Sequence, residues 1–364
     1  MGGTIPTVVK RGLSALLLLA LVSACGKQAA KTTLSRSASA STSGSASASA
    51  TATPTQPPSA TSTPASQVLS CKLPVVTDPT GGGWLTYPAG TFQADPKANV
   101  NLPTPSYIPL SRSYDKAFER WLPVPRDWIS PDGKHYAYPE LPGPGSTTPP
   151  PGGVHVVDVA SGQDRFLNPG TPPQDSFWWV LDYETEGVYV AVQPSGPAPP
   201  TGLWLLDPST GAVRKISDGI QSQYISGGAS WSTADALTGH GPGPGSRLNR
   251  TDLKTGAMTS WYKRNDIEFT VAGADGAGHP ILEVWKYQTP QLLLITGPGS
   301  ATILLPAPGS AVPSLSNVVH PVADSHGIWF GDVGGNISLY TPATGIKQIA
   351  SVSSSNAAAA GGCH

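Results

Sequence analysis

The sequence predicts an all-β fold assembled from antiparallel hairpins, and three observations carry that prediction. The first is a recurring phrase between strand-like runs: Asp158-Val159-Ala160-Ser161-Gly162, Asp207-Pro208-Ser209-Thr210-Gly211 and Asp252-Leu253-Lys254-Thr255-Gly256. It returns with Thr in place of Asp as Thr341-Pro342-Ala343-Thr344-Gly345. The second is the period. Successive glycines of the phrase are 49, 45 and 89 residues apart, and Gly299 of Thr296-Gly297-Pro298-Gly299 fills the long gap. The third is a second hairpin upstream of each phrase, as in Ser130-Pro131-Asp132-Gly133-Lys134, Asp182 to Gly187, Asp275-Gly276 and Asp324 to Gly327. Two hairpins per period of about 45 residues make four strands, which is one blade of a β-propeller.

The phrase explains itself as turn chemistry. An Asp carboxylate accepts backbone N–H groups two or three residues on, and the Gly supplies the positive φ that ends a short hairpin loop. These Asp residues are therefore turn formers and not catalytic or metal-binding candidates.

Units of this kind span about 121–167, 175–217, 222–263, 267–305 and 313–350. Trp84 to Phe92 matches the end of the last unit, Leu339 to Ile346, and reads as the outer half of one more blade. Six four-stranded antiparallel blades fit best, with five or seven as alternatives. The Ser-, Ala- and Gly-rich tail from Ser351 to Gly362 leaves its own pairing open. Ser130 to Lys134 with its aromatic-rich strand resembles the hairpin of bacterial extracytoplasmic TolB-like propellers with WD-like repeats. His326-Gly327-Ile328-Trp329-Phe330-Gly331-Asp332 is similar to a streptogramin-lyase-type repeat. The resemblance covers roughly 120 to 350 and implies the fold; propellers host unrelated activities, so it does not bring catalytic residues with it.

The chain divides into three parts: 1–24, 25–69 and 70–364. The first has Lys10-Arg11 and an apolar run, Leu13 to Val22, too short to span a bilayer. It ends in Val22-Ser23-Ala24-Cys25, which resembles a bacterial lipobox, with Cys25 as the lipidated residue. Residues 26 to 69 are nearly all Ser, Ala, Thr, Pro and Gln, without an aromatic or an acidic side chain. Such a composition predicts a disordered tether. All ten Trp lie in 70–364, which is long enough for one large core. Five of the 22 Lys and Arg precede residue 70 and all 23 acidic residues follow it, leaving the propeller part at net −6. Without a basic patch, nucleic acid is excluded as a partner. The expected placement is outside the cytoplasm, on the cell membrane through the lipid, as a monomer.

Besides Cys25, only Cys71 and Cys363 remain, at the start and end of the propeller part. A closed ring brings its ends together, and an oxidising compartment permits a bond between them. A Cys71–Cys363 disulfide is the prediction.

Chemistry is harder to find. His320, Asp324 and His326 form the tightest His–carboxylate group, without a third His or Cys nearby, so neither a catalytic set nor a metal site is assigned and no cofactor is expected. Most Trp fall at strand positions and read as packing between blades. Trp178-Trp179 is the exception, because adjacent strand residues point to opposite faces. These two, with His320, Asp324 and His326, are the candidate ligand-binding residues. A second candidate surface is the crest of Pro/Gly loops Pro139 to Gly153, Pro194 to Gly202 and Gly239 to Ser246. The innermost strands, such as Phe177 to Leu181 and Phe269 to Ala272, read as mainly apolar. That favours a binding or sensing module for a protein, peptide or glycan over a lyase or hydrolase of the central channel; a structural role in an envelope complex is the third alternative.

Overall fold

The computed structural model describes residues 69–77, 81–100, 112–141, 152–173, 175–194, 201–218, 224–234, 246–285, 291–304, 319–354 and 356–364. Cys25, the tether and most of the Pro/Gly crest lie outside these residues.

The chain forms a six-bladed propeller. Strands β1 (Lys72–Thr77), β2 (Gly81–Thr86) and β3 (Thr91–Ala94) open the first blade. A separate hairpin follows, β4 (Ser113–Asp115) and β5 (Arg120–Leu122). Blade 2 has β6 (His135–Pro139), β7 (Val154–Asp158) and β8 (Asp164–Leu167). Its innermost strand is reduced to a single bridge, Ile129 to Tyr136, preceded by a 3-10 turn at Arg126–Trp128. Blade 3 is β9 (Ser176–Glu184), β10 (Gly187–Pro194), β11 (Thr201–Leu206) and β12 (Val213–Ser217). Blade 4 is β13 (Tyr224–Ser226), β14 (Ala229–Ala234), β15 (Arg247–Asp252) and β16 (Met258–Lys263). Blade 5 is β17 (Glu268–Ala274), β18 (Pro280–Trp285), β19 (Gln291–Gly297) and β20 (Ser300–Ile303). Blade 6 is β21 (Val319–Asp324), β22 (Gly327–Gly331), β23 (Asn336–Thr341) and β24 (Gly345–Ser351).

The tail closes the ring. Strand β25 (Ala357–Ala359) is the innermost strand of blade 1 and pairs antiparallel with β1, Val75 opposite Ala359 and Thr77 opposite Ala357. The pairing continues past the strand, with Ala360 N–H on the Pro74 carbonyl at 2.8 Å and reciprocal 2.9 Å bonds between Lys72 and His364. Cys71 and Cys363 are disulfide-bonded at a Cα–Cα distance of 5.7 Å. The seam is tight. A Cβ on Gly331 would lie 2.0 Å from the Ala357 carbonyl oxygen, so the inner strand passes against bare backbone.

The repeated phrase forms the turn between third and fourth strands, as its chemistry requires. Asp158 Oδ1 accepts Ser161 N–H at 2.7 Å, Asp207 Oδ1 accepts Ser209 N–H at 2.7 Å, and Asp252 Oδ1 accepts Thr255 N–H at 2.9 Å. In the fourth copy the Thr341 hydroxyl takes over, accepting Thr344 N–H at 3.1 Å. The glycines stand at φ 71°, 77°, 71° and 74°, the left-handed region that disfavours a side chain.

Apolar clusters fill the spaces between blades. Leu206, Val180 and Trp178 pack on Val154 and Val156 between blades 2 and 3. Trp329 and Ile337 pack on Leu73 and Leu85 between blades 6 and 1. The β4–β5 hairpin wedges beside blade 1 through Trp121, packed with Val76 and Ala358. Trp84 and Trp121 both donate their indole N–H to Asp95 Oδ2, at 3.1 and 2.9 Å, which satisfies two otherwise costly donors.

Candidate functional site

In blades 2 to 6 the turns after the innermost strand surround one mouth of the central channel. A cavity of about 540 Å³ lies there, lined by Arg126 and Asp127 of blade 2, Asp182 and Glu184 of blade 3, Tyr224 of blade 4 and the Asp275–Gly278 turn of blade 5. A second cavity of about 510 Å³ lies between the hairpin, the first turns of blades 2 and 6, and the seam. Arg126 lines both.

The polar character of the first cavity comes from two local irregularities. In β9 the register against β10 shifts between Tyr189 and Val190, so Val180 and Asp182 find partners while Leu181 is extra. A bulge of one residue reverses which side each later residue faces. Trp178 and Val180 belong to the core shared with blade 2, and after the bulge it is Tyr183 that joins them. Asp182 and Glu184 are thereby turned the other way. In blade 2, a 3-10 turn stands where an inner strand is expected, and Trp128 anchors it in the core. Its other two residues, Arg126 and Asp127, reach the channel.

Asp182 is only 9% exposed. Its Oδ1 accepts the Tyr183 N–H at 2.8 Å. Burial, followed by the neighbouring charges of Asp127 and Glu184, pushes its carboxyl well above the usual carboxylate range. Glu184 is also raised, chiefly by burial and then by Glu186 and Asp127. Two carboxyls this close resist ionising together, so the pair favours retaining a proton. Tyr224 donates its hydroxyl to Asp127 Oδ1 at 3.3 Å, and burial, then Asp127 and Asp182, raise its phenol well above the ordinary value. The arrangement can hold a proton at the mouth of a channel or exchange it for a cationic group. Among the described residues no group of three or more His, Cys, Asp or Glu is placed to hold a metal ion.

The residues singled out in the sequence lie elsewhere. Trp178 is 6% exposed, donates its indole N–H to the Gly170 carbonyl at 2.9 Å and packs edge-on against Trp204. Trp179 is half-buried and meets Trp128 edge-on at 5.5 Å. Asp324 works in the seam: its Oδ2 accepts Trp329 Nε1 at 2.8 Å and Cys363 N–H at 2.7 Å, and its Oδ1 accepts His326 N–H at 2.7 Å. His326 stands beside Trp329, with ring centroids 6.3 Å apart. His320 lies on β21, and its side chain is outside the described residues. None of Trp178, Trp179, Asp324 or His326 borders the channel cavity, although Asp324 borders the second one. The Pro/Gly loops of the crest (142–151, 195–200 and 235–245) are outside the described residues as well.

No family model and no curated protein matches the chain. Solved structures do. The chain is similar to virginiamycin B lyase from Staphylococcus aureus at 14% identity, covering 77% of this chain and 84% of that one, with a TM-score of 0.41. It is similar to the extracellular domain of a hybrid two-component system from B. thetaiotaomicron at 15% identity, covering 78% of this chain and 38% of that one, TM-score 0.37. PQQ-bound aldose sugar dehydrogenase from Streptomyces coelicolor follows at 12% identity, 54% and 74% coverage and a TM-score of 0.31. These are likenesses of propeller fold alone. One enzyme class or one sensor class cannot be carried over from them.

Proposed function

We propose that this protein is an extracytoplasmic propeller, lipid-anchored at Cys25, that acts as a binding module and receives a positively charged group of its ligand at the channel mouth. One observation carries the reading: a cavity of about 540 Å³ is lined by an acidic pair, Asp182 and Glu184, whose carboxyls are both raised, with Asp127 beside it. A buried acidic pair keeps its proton because a second negative charge is unfavourable there. A ligand ammonium supplies the missing positive charge, so the proton leaves as the ligand enters. The Cys71–Cys363 bond supports an oxidising compartment. A tether of Ser, Ala, Thr and Pro gives the module reach from the membrane.

Binding of trialanine amide, which has an ammonium and no carboxylate, tests the pocket. Titration calorimetry in two buffers of different ionisation enthalpy reads the released proton. Binding with proton release, lost in Asp182→Asn/Glu184→Gln, supports the reading; binding unchanged by that double variant overturns it. The anchor is tested separately by labelling with radioactive palmitate, which the Cys25→Ala variant must fail to incorporate. The raised acidic pair also favours a second reading, a hydrolase or lyase of the channel, since two carboxyls that retain one proton between them suit general acid–base chemistry. Recovery of unaltered peptide after long incubation with stoichiometric protein distinguishes binding from turnover.

A further inference from the structure

The channel mouth holds a positive charge that the acidic pair does not use. Arg126 opens the 3-10 turn of blade 2, and its backbone is held there by Trp128 N–H on the Pro125 carbonyl at 3.1 Å and Ile129 N–H on the Arg126 carbonyl at 3.0 Å. Trp128, 4% exposed, fixes the turn in the core between blades 2 and 3. Arg126 itself is exposed and borders both the 540 Å³ and the 510 Å³ cavities. Among the described residues its guanidinium enters no ion pair. It acts at a distance, favouring the ionised Tyr224 phenol and the neutral His364 ring.

A forked guanidinium facing a cavity is matched by a carboxylate, which accepts two parallel N–H bonds. The pocket thus has two poles, Arg126 on blade 2 and Asp182 with Glu184 on blade 3. A ligand with only a positive charge leaves Arg126 unmatched and is repelled by it. A ligand with only a negative charge meets the same difficulty at the acids. A molecule carrying both charges satisfies both poles, and a cavity of about 540 Å³ falls in the range of small-ligand pockets.

We infer that the channel takes a short peptide with free termini, its carboxylate on Arg126 and its ammonium at Asp182 and Glu184. This rests on the reading of the channel as a pocket for a cationic group, and adds the second charge.

The test uses the full-length chain in detergent micelles and three probes: trialanine, trialanine amide and N-acetyl-trialanine. Calorimetry is expected to show trialanine binding at least about tenfold more tightly than the amide, the loss typical of one charge-assisted contact. In Arg126→Gln, trialanine is expected to fall to the affinity of the amide, and amidation then to make no difference. Arg126→Lys, which keeps the charge and loses the fork, is expected to fall between the two. Equal binding of trialanine and its amide to the natural protein would overturn the inference and leave the cationic-group reading standing. So would Arg126→Gln binding trialanine at full strength. Tighter binding of the N-acetyl form than of trialanine would overturn both readings. Absence of binding by trialanine at millimolar concentration also overturns the inference. Because Arg126 is exposed, an unchanged melting temperature of the variants is expected and separates lost binding from lost fold.

Discussion

Removing the ring's covalent latch, with Cys71→Ser/Cys363→Ser, tests how this propeller is held closed. The bond joins residues 292 apart in sequence. In the chain-entropy description, a loop of that length lowers the entropy of the unfolded chain enough to stabilise the fold by about 6 kcal/mol, before any native strain is subtracted. The native seam has its own support, since β25 pairs with β1 and Lys72 and His364 exchange two 2.9 Å hydrogen bonds. Loss of the bond should therefore leave the native ring intact and act through the unfolded state. With an unfolding entropy of about 2.1 cal/mol/K per residue over roughly 300 residues, about 6 kcal/mol corresponds to a fall of about 9 °C in melting temperature. Differential scanning calorimetry of both forms without reductant measures the fall. Hydrogen exchange at 357–364 reports the seam. A fall of less than about 3 °C would refute the unfolded-chain account. Lost protection at 357–364 in the native state would relocate the effect to local fraying of β25.

Three further outcomes follow from individual side chains. Asp182 is held neutral in the fold while an unfolded Asp ionises above about pH 3.9, so its burial costs stability as pH rises through that value. Asp182→Asn should then melt higher than the natural protein at pH 7, with the difference vanishing near pH 4 in a series of thermal melts. Asp207 behaves oppositely: the Ser209 hydroxyl, then the Ser209 N–H, hold its carboxyl down to about 2. Its contribution is complete above the unfolded value and is lost as pH falls through about 2; carboxyl-carbon NMR should find the low value in the natural chain and a higher one in Ser209→Ala. Gly331→Ala places a methyl 2.0 Å from the Ala357 carbonyl oxygen, whereas Gly276→Ala meets only the Ala323 methyl at 3.7 Å. The first should cost about 1–3 kcal/mol or more in denaturant titrations, and the second close to nothing.

The blades were legible because turn chemistry is local. An Asp and a Gly three or four residues apart fix a hairpin wherever they stand, so the repeat sets the phase of every blade from β6 onward. The seam was legible for a different reason: closure of a ring puts its two ends side by side, and the only two cysteines of the propeller part are there. What propensity could not reveal was β25. Ala357, Ala358 and Ala359 have weak strand preference, and what holds them is a partner almost 300 residues away plus the bare backbone at Gly331 that lets the strand pass close. Position in the ring overrides propensity there.

The channel mouth escaped the sequence because both of its poles arise where the regular pattern breaks. Strict alternation from Trp178 through Val180 sends Asp182 into the core beside blade 2, an environment that a carboxylate would avoid. The sequence reading places the inner strand at Phe177 to Leu181 and the hairpin at Asp182 to Gly187. The structure corrects this: β9 runs to Glu184, and the bulge at Leu181 puts Tyr183 in the core and the two acids toward the channel. Arg126 and Asp127 were hidden by the converse irregularity, a blade whose inner strand has shrunk to one bridge. The available signal was charge. In a chain with only 12% charged residues, Arg126-Asp127 and Asp182-Tyr183-Glu184 both fall at the inner-strand phase of consecutive blades. Two adjacent blades that turn charges of opposite sign into one cavity point to a ligand of complementary charges, with its carboxylate at Arg126.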